Sequence, residues 1–301
     1  MARKAAATLL AGMCALAGPP PAKAADLDVS TAEAYANYVK LAEKQIGNGL
    51  AAHAPFLWVE SLPTGKRAEL ESCLRVGEVV IERLDARDPN SGNAVAKPIS
   101  VPGGMIHHWI GTVFIPGATL AETLAFEQDY DHHASFFQPD VQRSKILQHE
   151  RDDFVVQLRF ERKKLITAVF DTEHEVHYHF ADATHAWSRS RTTRIREVDD
   201  PGGPHERLEP EGHDRGFLWH MNTYWRFEEK NDGVYVECQS VSLTRDIPTG
   251  LGWLIAPYVT SVPRESLTFT LATTRSAVLQ RISGRASTPG PLQPQAWSRF
   301  R

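Results

Sequence analysis

The stretch Met105-Ile106-His107-His108-Trp109-Ile110-Gly111-Thr112-Val113-Phe114-Ile115, closed by Pro116-Gly117, decides the fold together with the elements that succeed it along the chain. Rich in β-branched and aromatic residues and stopped by a turn pair, it reads as a strand. Thr119 then stands three residues ahead of Glu122, the spacing of a capping box, which opens a helix to about Gln128 with Leu120 and Leu124 on its inner face. After residues 129–139, strands are expected at 141–149, 153–160, 165–180, 184–197, 218–229 and 233–245. Arg151-Asp152, Ala181-Asp182 and Asn231-Asp232-Gly233 are the turns, and short turns make consecutive strands antiparallel neighbours. A last helix is expected from Pro263 as its first residue, with Leu267, Leu271, Thr274, Val278 and Ile282 on one side. Strand, helix, strand series and closing helix describe an α+β protein, a curved antiparallel sheet gripping a long C-terminal helix over an internal cavity.

Upstream, Ser30-Thr31-Ala32-Glu33 has capping-box spacing, and Tyr35, Tyr38, Val39, Ala42 and Ile46 succeed it at helical intervals until Gly47-Asn48-Gly49. A short helix at 66–74 and a strand at 76–84 precede a turn-rich segment at 85–104. The expected division is a signal peptide at 1–24, an N-terminal helical and strand extension at 25–104 packed on the main domain, a ligand-binding domain at 105–282 and a disordered tail at 283–301.

Arg3 and Lys4, the apolar residues 5–18 and the small-x-small end Ala22-Lys23-Ala24 give residues 1–24 the form of a secretory signal, which places the mature protein in the periplasm or outside the cell. The apolar run is too short to span a bilayer, and no other stretch is suited to do so. Removing Arg3, Lys4 and Lys23 from 33 basic residues leaves 30 against 37 acidic ones, a formal charge of −7. That acidity argues against nucleic acid as a partner. With 42% hydrophobic residues in 301, the chain can build a sizeable core. Cys73 and Cys238 fit neither a redox nor a zinc spacing, and their pairing is left open.

In the strand at 165–180, Ile166, Ala168, Phe170, Val176, Tyr178 and Phe180 alternate toward the core, and His174 shares their face. His174 there is the candidate acid or base, or a group that orients a ligand carbonyl, and the alternative is a histidine satisfied within the core. Glu173, Glu175, His177 and His179 share the other face, where a solvent-facing stripe is the ordinary outcome and no metal is expected. In the next strand Trp187, Arg189, Arg191, Thr193 and Ile195 fall on one side; if that side is inward, an arginine enters the cavity and calls for an anionic partner. Trp219, Met221, Trp225 and Phe227 oppose Asn222, Tyr224 and Arg226. Across the Asn231-Asp232-Gly233 turn Arg226 meets Glu237, so these two with Tyr224 form either a polar floor of the cavity or a network outside it. The apolar residues 251–259, centred on Trp253, are the candidate gate.

The residues His108 to Pro116, 130–141, Tyr224-Trp225-Arg226-Phe227-Glu228-Glu229, Asp232 to Glu237 and Leu243-Thr244-Arg245-Asp246-Ile247-Pro248 resemble the START-like (SRPBCC) helix-grip superfamily. That superfamily includes lipid-transfer domains, coenzyme Q-binding proteins and polyketide cyclases, and the likeness is greatest to exported bacterial members of unassigned activity. The resemblance covers roughly residues 105–282 and implies a hydrophobic ligand held between the sheet and the last helix. Ligand-binding residues are then expected among His174, Tyr178, Trp187, Arg189, Arg191, Tyr224, Trp225, Arg226, Glu237 and Trp253. No nucleophile elbow, phosphate loop or dinucleotide fingerprint occurs, and no cofactor is expected. The leading expectation is a lipid or hydrophobic small-molecule binder, with a cyclase- or hydrolase-type enzyme and a protein-interaction module as alternatives.

Overall fold

In the computed structural model, which describes residues 25–50, 54–85, 101–163, 167–247 and 252–286, with side chains except at 25, 252–260 and 285–286, the chain begins with β1 (Ala25–Asp26). It continues through α1 (Val29–Gly49), a 3-10 turn at Trp58–Ser61, α2 (Thr64–Arg75), β2 (Val80–Arg83), β3 (Gly104–Pro116) and α3 (Leu120–Glu127). A second 3-10 turn at Tyr130–His132 and α4 (His133–Phe136) lead into β4 (Val141–Glu150), β5 (Asp153–Lys163), β6 (Thr167–Phe180) and β7 (His185–Asp199). The two-residue strands β8 (Arg207–Leu208) and β9 (His213–Asp214) precede β10 (His220–Glu229), β11 (Gly233–Arg245) and α5 (Gly252–Ala286). The expected signal peptide lies outside the described residues, as do 86–100 of the turn-rich segment and 287–301 of the tail.

The main sheet is antiparallel throughout, in the order β2-β3-β11-β10-β7-β6-β5-β4, with β8 on β7; β1 and β9 form a separate small ribbon. β4 to β7 pair consecutively as a meander, while β3, first of the long strands, pairs with the last, β11, from Gly233↔Pro116 to Arg245↔Gly104. The α+β, helix-grip architecture expected from the order of elements is the one observed. α5 lies across the inner face over β3 and β11 and packs on α3. Its approach is close at Gly111, where an added Cβ would stand 2.4 Å from Ile81 Cδ1 and 2.7 Å from Leu271 Cδ1. A residue without a side chain lets β2 and α5 close on β3 there.

Several boundaries move for identifiable reasons. α1 is capped by Asp28, whose carboxylate accepts the Ser30 N–H at 2.7 Å, so the helix starts ahead of the expected Ser30 box and holds its turn through Gly49. The Thr119 box forms as expected: Thr119 Oγ1 accepts from Glu122 N, and Glu122 Oε2 accepts from Thr119 N. α5 corrects the expectation for Pro263, which is interior to a helix that already begins at Gly252. Pro263 lacks an N–H for the carbonyl four residues earlier, which costs one bond of a 35-residue helix anchored by packing on the sheet. Of the residues expected as a separate gate, 251–259, the first lies outside the described residues and 252–259 are helical backbone of α5, and the tail expected from 283 is helical to Ala286.

The inner face of the sheet is covered along its length and the outer face over β3, β11 and β10, while the outer stripe of β6 is partly or fully exposed and much of β4 is exposed. The inner face carries the largest core cluster, built from Val113, Ile115, Val234, Val236, Phe227, Val176 and Tyr178 against Leu124, Leu267 and Leu271. On the outer face α1 packs Tyr35, Tyr38, Val39, Ala42 and Ile46 on Trp219, Tyr224, Val241 and Leu243. Beside it Leu57, Val59 and Leu74 cover Phe114 and Tyr235. At ~1.5–3 kcal/mol for each large apolar side chain buried, these N-terminal contacts are a substantial part of the fold's stability. β2, from the same N-terminal segment, is hydrogen-bonded to β3 as the edge of the main sheet.

Candidate functional site

Alternation along β5, β6, β10 and β11 aims one set of side chains at α5, and between them is a cavity of about 280 Å³. Val156, Leu158, Phe160, Phe170, Val176, Met221 and Trp225 supply apolar wall from the sheet. Leu267 and Thr270 of α5, with Tyr130, His133 and Phe137 from the segment after α3, close the other sides. Ser190, Thr223, Ser240 and Ser242 add hydroxyls, so the lining is greasy with scattered small polar groups, as small-molecule sites generally are.

Of the ten expected ligand-binding residues, His174, Tyr178 and Trp225 line this cavity. His174 Nε2 is 2.8 Å from Thr172 Oγ1 and Nδ1 is 3.3 Å from Thr192 Oγ1. Thr192 donates its own proton to Met221 O at 2.7 Å. Thr172 likewise has a carbonyl for its proton, Leu158 O at 3.1 Å, so both ring nitrogens are engaged by threonine hydroxyls that are themselves tied to the backbone. Burial pushes the His174 pKa down to about 4. No carboxylate is among its hydrogen-bond partners, so the geometry is that of a positioned polar group on the wall rather than an acid–base pair. Tyr178 Oη lies 2.7 Å from Tyr130 Oη, and burial raises both phenols.

Six of the others lie on the opposite face. Trp187 stacks on His179 at 3.9 Å, Arg189 Nη2 pairs with Glu43 Oε1 at 2.7 Å, and Arg191 Nη2 pairs with the partly exposed Glu175 at 3.0 Å. Tyr224 donates to Glu43 Oε1 at 2.9 Å. Arg226 donates to Glu237 Oε1 at 3.2 Å, Phe56 O at 3.0 Å and Ile46 O at 3.3 Å. Glu237 Oε2 accepts from the Trp58 amide at 2.8 Å and from Thr112 at 3.3 Å. Burial pushes the Glu237 carboxyl up to about 7 against the pull of Arg226 and these donors. Of the two arrangements open for Tyr224, Arg226 and Glu237, the structural network outside the cavity is the one formed. With Arg189 and Trp187, Tyr224 and Arg226 border a hollow of about 150 Å³ under α1. The Trp253 side chain lies outside the described residues.

The correction for Trp187, Arg189 and Arg191 has a local cause. Glu173 pairs with Arg194 but His174 pairs with Thr192, so β7 carries one extra residue, Thr193. A bulge of this kind flips the alternation. Ile195 is inward with Phe170, while Trp187 is outward; Ser188 and Ser190 hold the inward positions opposite Tyr178 and Val176. Glu173 and the half-exposed His177, in the outer-face stripe of β6, pair with Arg194 and Asp153.

Sequence reasoning missed Glu127, Tyr130 and His133 on the wall. Glu127 is buried, accepts from Thr274 Oγ1 at 3.1 Å, and has its pKa pushed up by burial to about 7. Its spacing of seven from Leu120 and three from Leu124 puts it on the buried face of α3, a signal the sequence carries. Cys238 lines the wall as a free thiol, and Cys73 is free and partly exposed, so the pair left open in the sequence is unbonded.

No family model and no curated protein matches the chain. Among solved structures it is similar to the ZhuI aromatase/cyclase from Streptomyces sp. R1128, at 14% identity over 59% of this chain and 96% of that one, TM-score 0.42. It is also similar to a STAR-related lipid transfer protein from Xanthomonas axonopodis, at 17% identity over 60% and 95%, TM-score 0.40. Human STARD10 is similar at 8% identity over 75% and 83%, TM-score 0.40. The fold assignment rests on the strand order and register of the sheet.

Proposed function

We propose that the protein binds a lipid or another largely apolar small molecule between its sheet and α5, and that it does so as an exported carrier that shields the molecule in the periplasm. The observation that carries this reading is the cavity of about 280 Å³ between sheet and α5, lined by Trp225, Phe160, Phe170 and Leu267. Affinity comes chiefly from apolar ligand surface, about 2.5 kcal/mol for each 100 Å² removed from water before the costs of association. The hydroxyls of Ser190, Thr223, Ser240 and Ser242 orient the molecule. The export half of the proposal comes from residues 1–24.

The direct test is to purify the protein from its own host, extract it with organic solvent and identify by mass spectrometry what co-purifies. One apolar compound at near-stoichiometric amount is the expected result. A clean extract, together with no uptake of a neutral apolar dye by the extracted protein, would overturn the reading.

A further inference from the structure

Glu127 is the acid of the cavity. It is the last residue of α3, it lines the space between α3, α5 and the sheet, and only 5% of its surface is exposed. Thr274 of α5 donates to Oε1, and among the described residues no other donor reaches the carboxyl. Oε2 therefore keeps an acceptor site open in a residue that lines the space, which a buried carboxyl ordinarily does not.

The surrounding charges favour one kind of partner. On the wall with Glu127 stand Tyr130 and Tyr178, hydrogen-bonded to each other, the Cys238 thiol, His133 and His174. Burial holds both histidines at about 4, so they are neutral near pH 7. Arg162, the one permanently charged cation on the wall among the described residues, is paired with Asp140. Arg281, on the α5 side of the end of α3, is paired with Asp129 and lies over the Phe126 and Phe136 rings. An anionic head group placed at Glu127 would meet the one carboxyl on the wall among the described residues, with both of these arginines already paired and so poorly placed to offset its desolvation. A donor placed there would complete the carboxyl.

We propose that Glu127 is the polar anchor of the cavity and that the ligand is an apolar molecule whose buried end carries a hydroxyl or amine donor rather than an anionic head group. The inference rests on the binding reading under Proposed function. It assigns a recognition role to a residue on α3, at the end of the cavity where α3 packs on α5.

Three twelve-carbon probes test it: dodecan-1-ol, dodecylamine and dodecanoate, each competing with the neutral dye Nile red for the full chain at pH 7.5, below micelle formation. The alcohol and the amine are expected to bind at least tenfold more tightly than the carboxylate. Glu127→Leu, close in volume, should lose that preference, and Glu127→Gln should keep the alcohol while weakening the amine; thermal melts establish that both variants fold. Equal or tighter binding of dodecanoate to the wild type, or an unchanged preference in Glu127→Leu, would overturn the assignment while leaving the binding cavity intact. If neither Nile red nor any probe binds the wild type, the binding reading fails and takes the anchor with it.

Discussion

Arg226 Nη1 lies 3.2 Å from Glu237 Oε1 on the outer face of the sheet, while Trp225, one residue earlier, lines the cavity on the inner face. The guanidinium also donates to Ile46 O at the end of α1 and to Phe56 O, and Glu237 takes the Trp58 amide. One ion pair thus ties the N-terminal segment to the strands that form the cavity wall. Arg226→Met strands a buried carboxylate and should cost ~3–5 kcal/mol in urea unfolding, whereas Arg226→Met with Glu237→Leu should recover much of the loss. A single-variant cost below ~1 kcal/mol would show that the pair does not hold the segment.

Trp225 and Trp187 face opposite sides of the sheet, which gives a paired test of the cavity. Trp225→Leu should weaken Nile red binding about tenfold, the equivalent of ~1.4 kcal/mol. Trp187→Leu should leave it within about twofold. Comparable losses in both would place the dye outside the cavity.

Buried titratable groups set opposing pH trends. His108 is held between Tyr38 and Gln239, and burial lowers its pKa to about 4. Its folded form binds fewer protons than the unfolded chain below pH 6.5, so its contribution is full above 6.5 and is lost as the pH falls through 4. His108→Gln should reduce that acid-side loss by up to ~3 kcal/mol. Glu127, raised to about 7, acts in the other sense: its contribution is full below 4.5 and is lost as the pH rises through 7. Glu127→Gln should flatten the curve between those limits. Urea unfolding from about pH 4 to about pH 8 reads both slopes, and slopes matching wild type in the variants would contradict the assignments.

Cys238 is buried in the cavity wall with its thiol pKa well above the ordinary value, while Cys73 is partly exposed. Alkylation at about pH 8 and subsequent peptide mapping should therefore label Cys73 in the folded protein and Cys238 only after unfolding. Rapid native labelling of Cys238 would mean that the cavity admits the reagent freely.

The strand series, the Thr119 cap and the closing helix were legible because each rests on local chemistry: period-two alternation, a side chain three residues from its partner, and apolar spacing along a helix. His174, Tyr178 and Trp225 could be placed on one side of their strands for the same reason. Trp187, Arg189 and Arg191 could not, because the extra residue Thr193 inverts the alternation within β7, and a bulge depends on how the neighbouring strand pairs.

The sequence by itself determined the period of each element and therefore the α+β grip: which residues alternate, where turns fall and where helices are capped. Only the tertiary structure decided which face is inside. α1, the 58–61 turn and α2 cover the outer face over β3, β11 and β10, so charged residues such as Arg226 and Glu237 are buried there in a network, while Ser190, Thr223 and Glu127 face the cavity. Periodicity separates two faces without assigning either one. That assignment is a matter of what packs against each face, and it is made by segments distant in the chain.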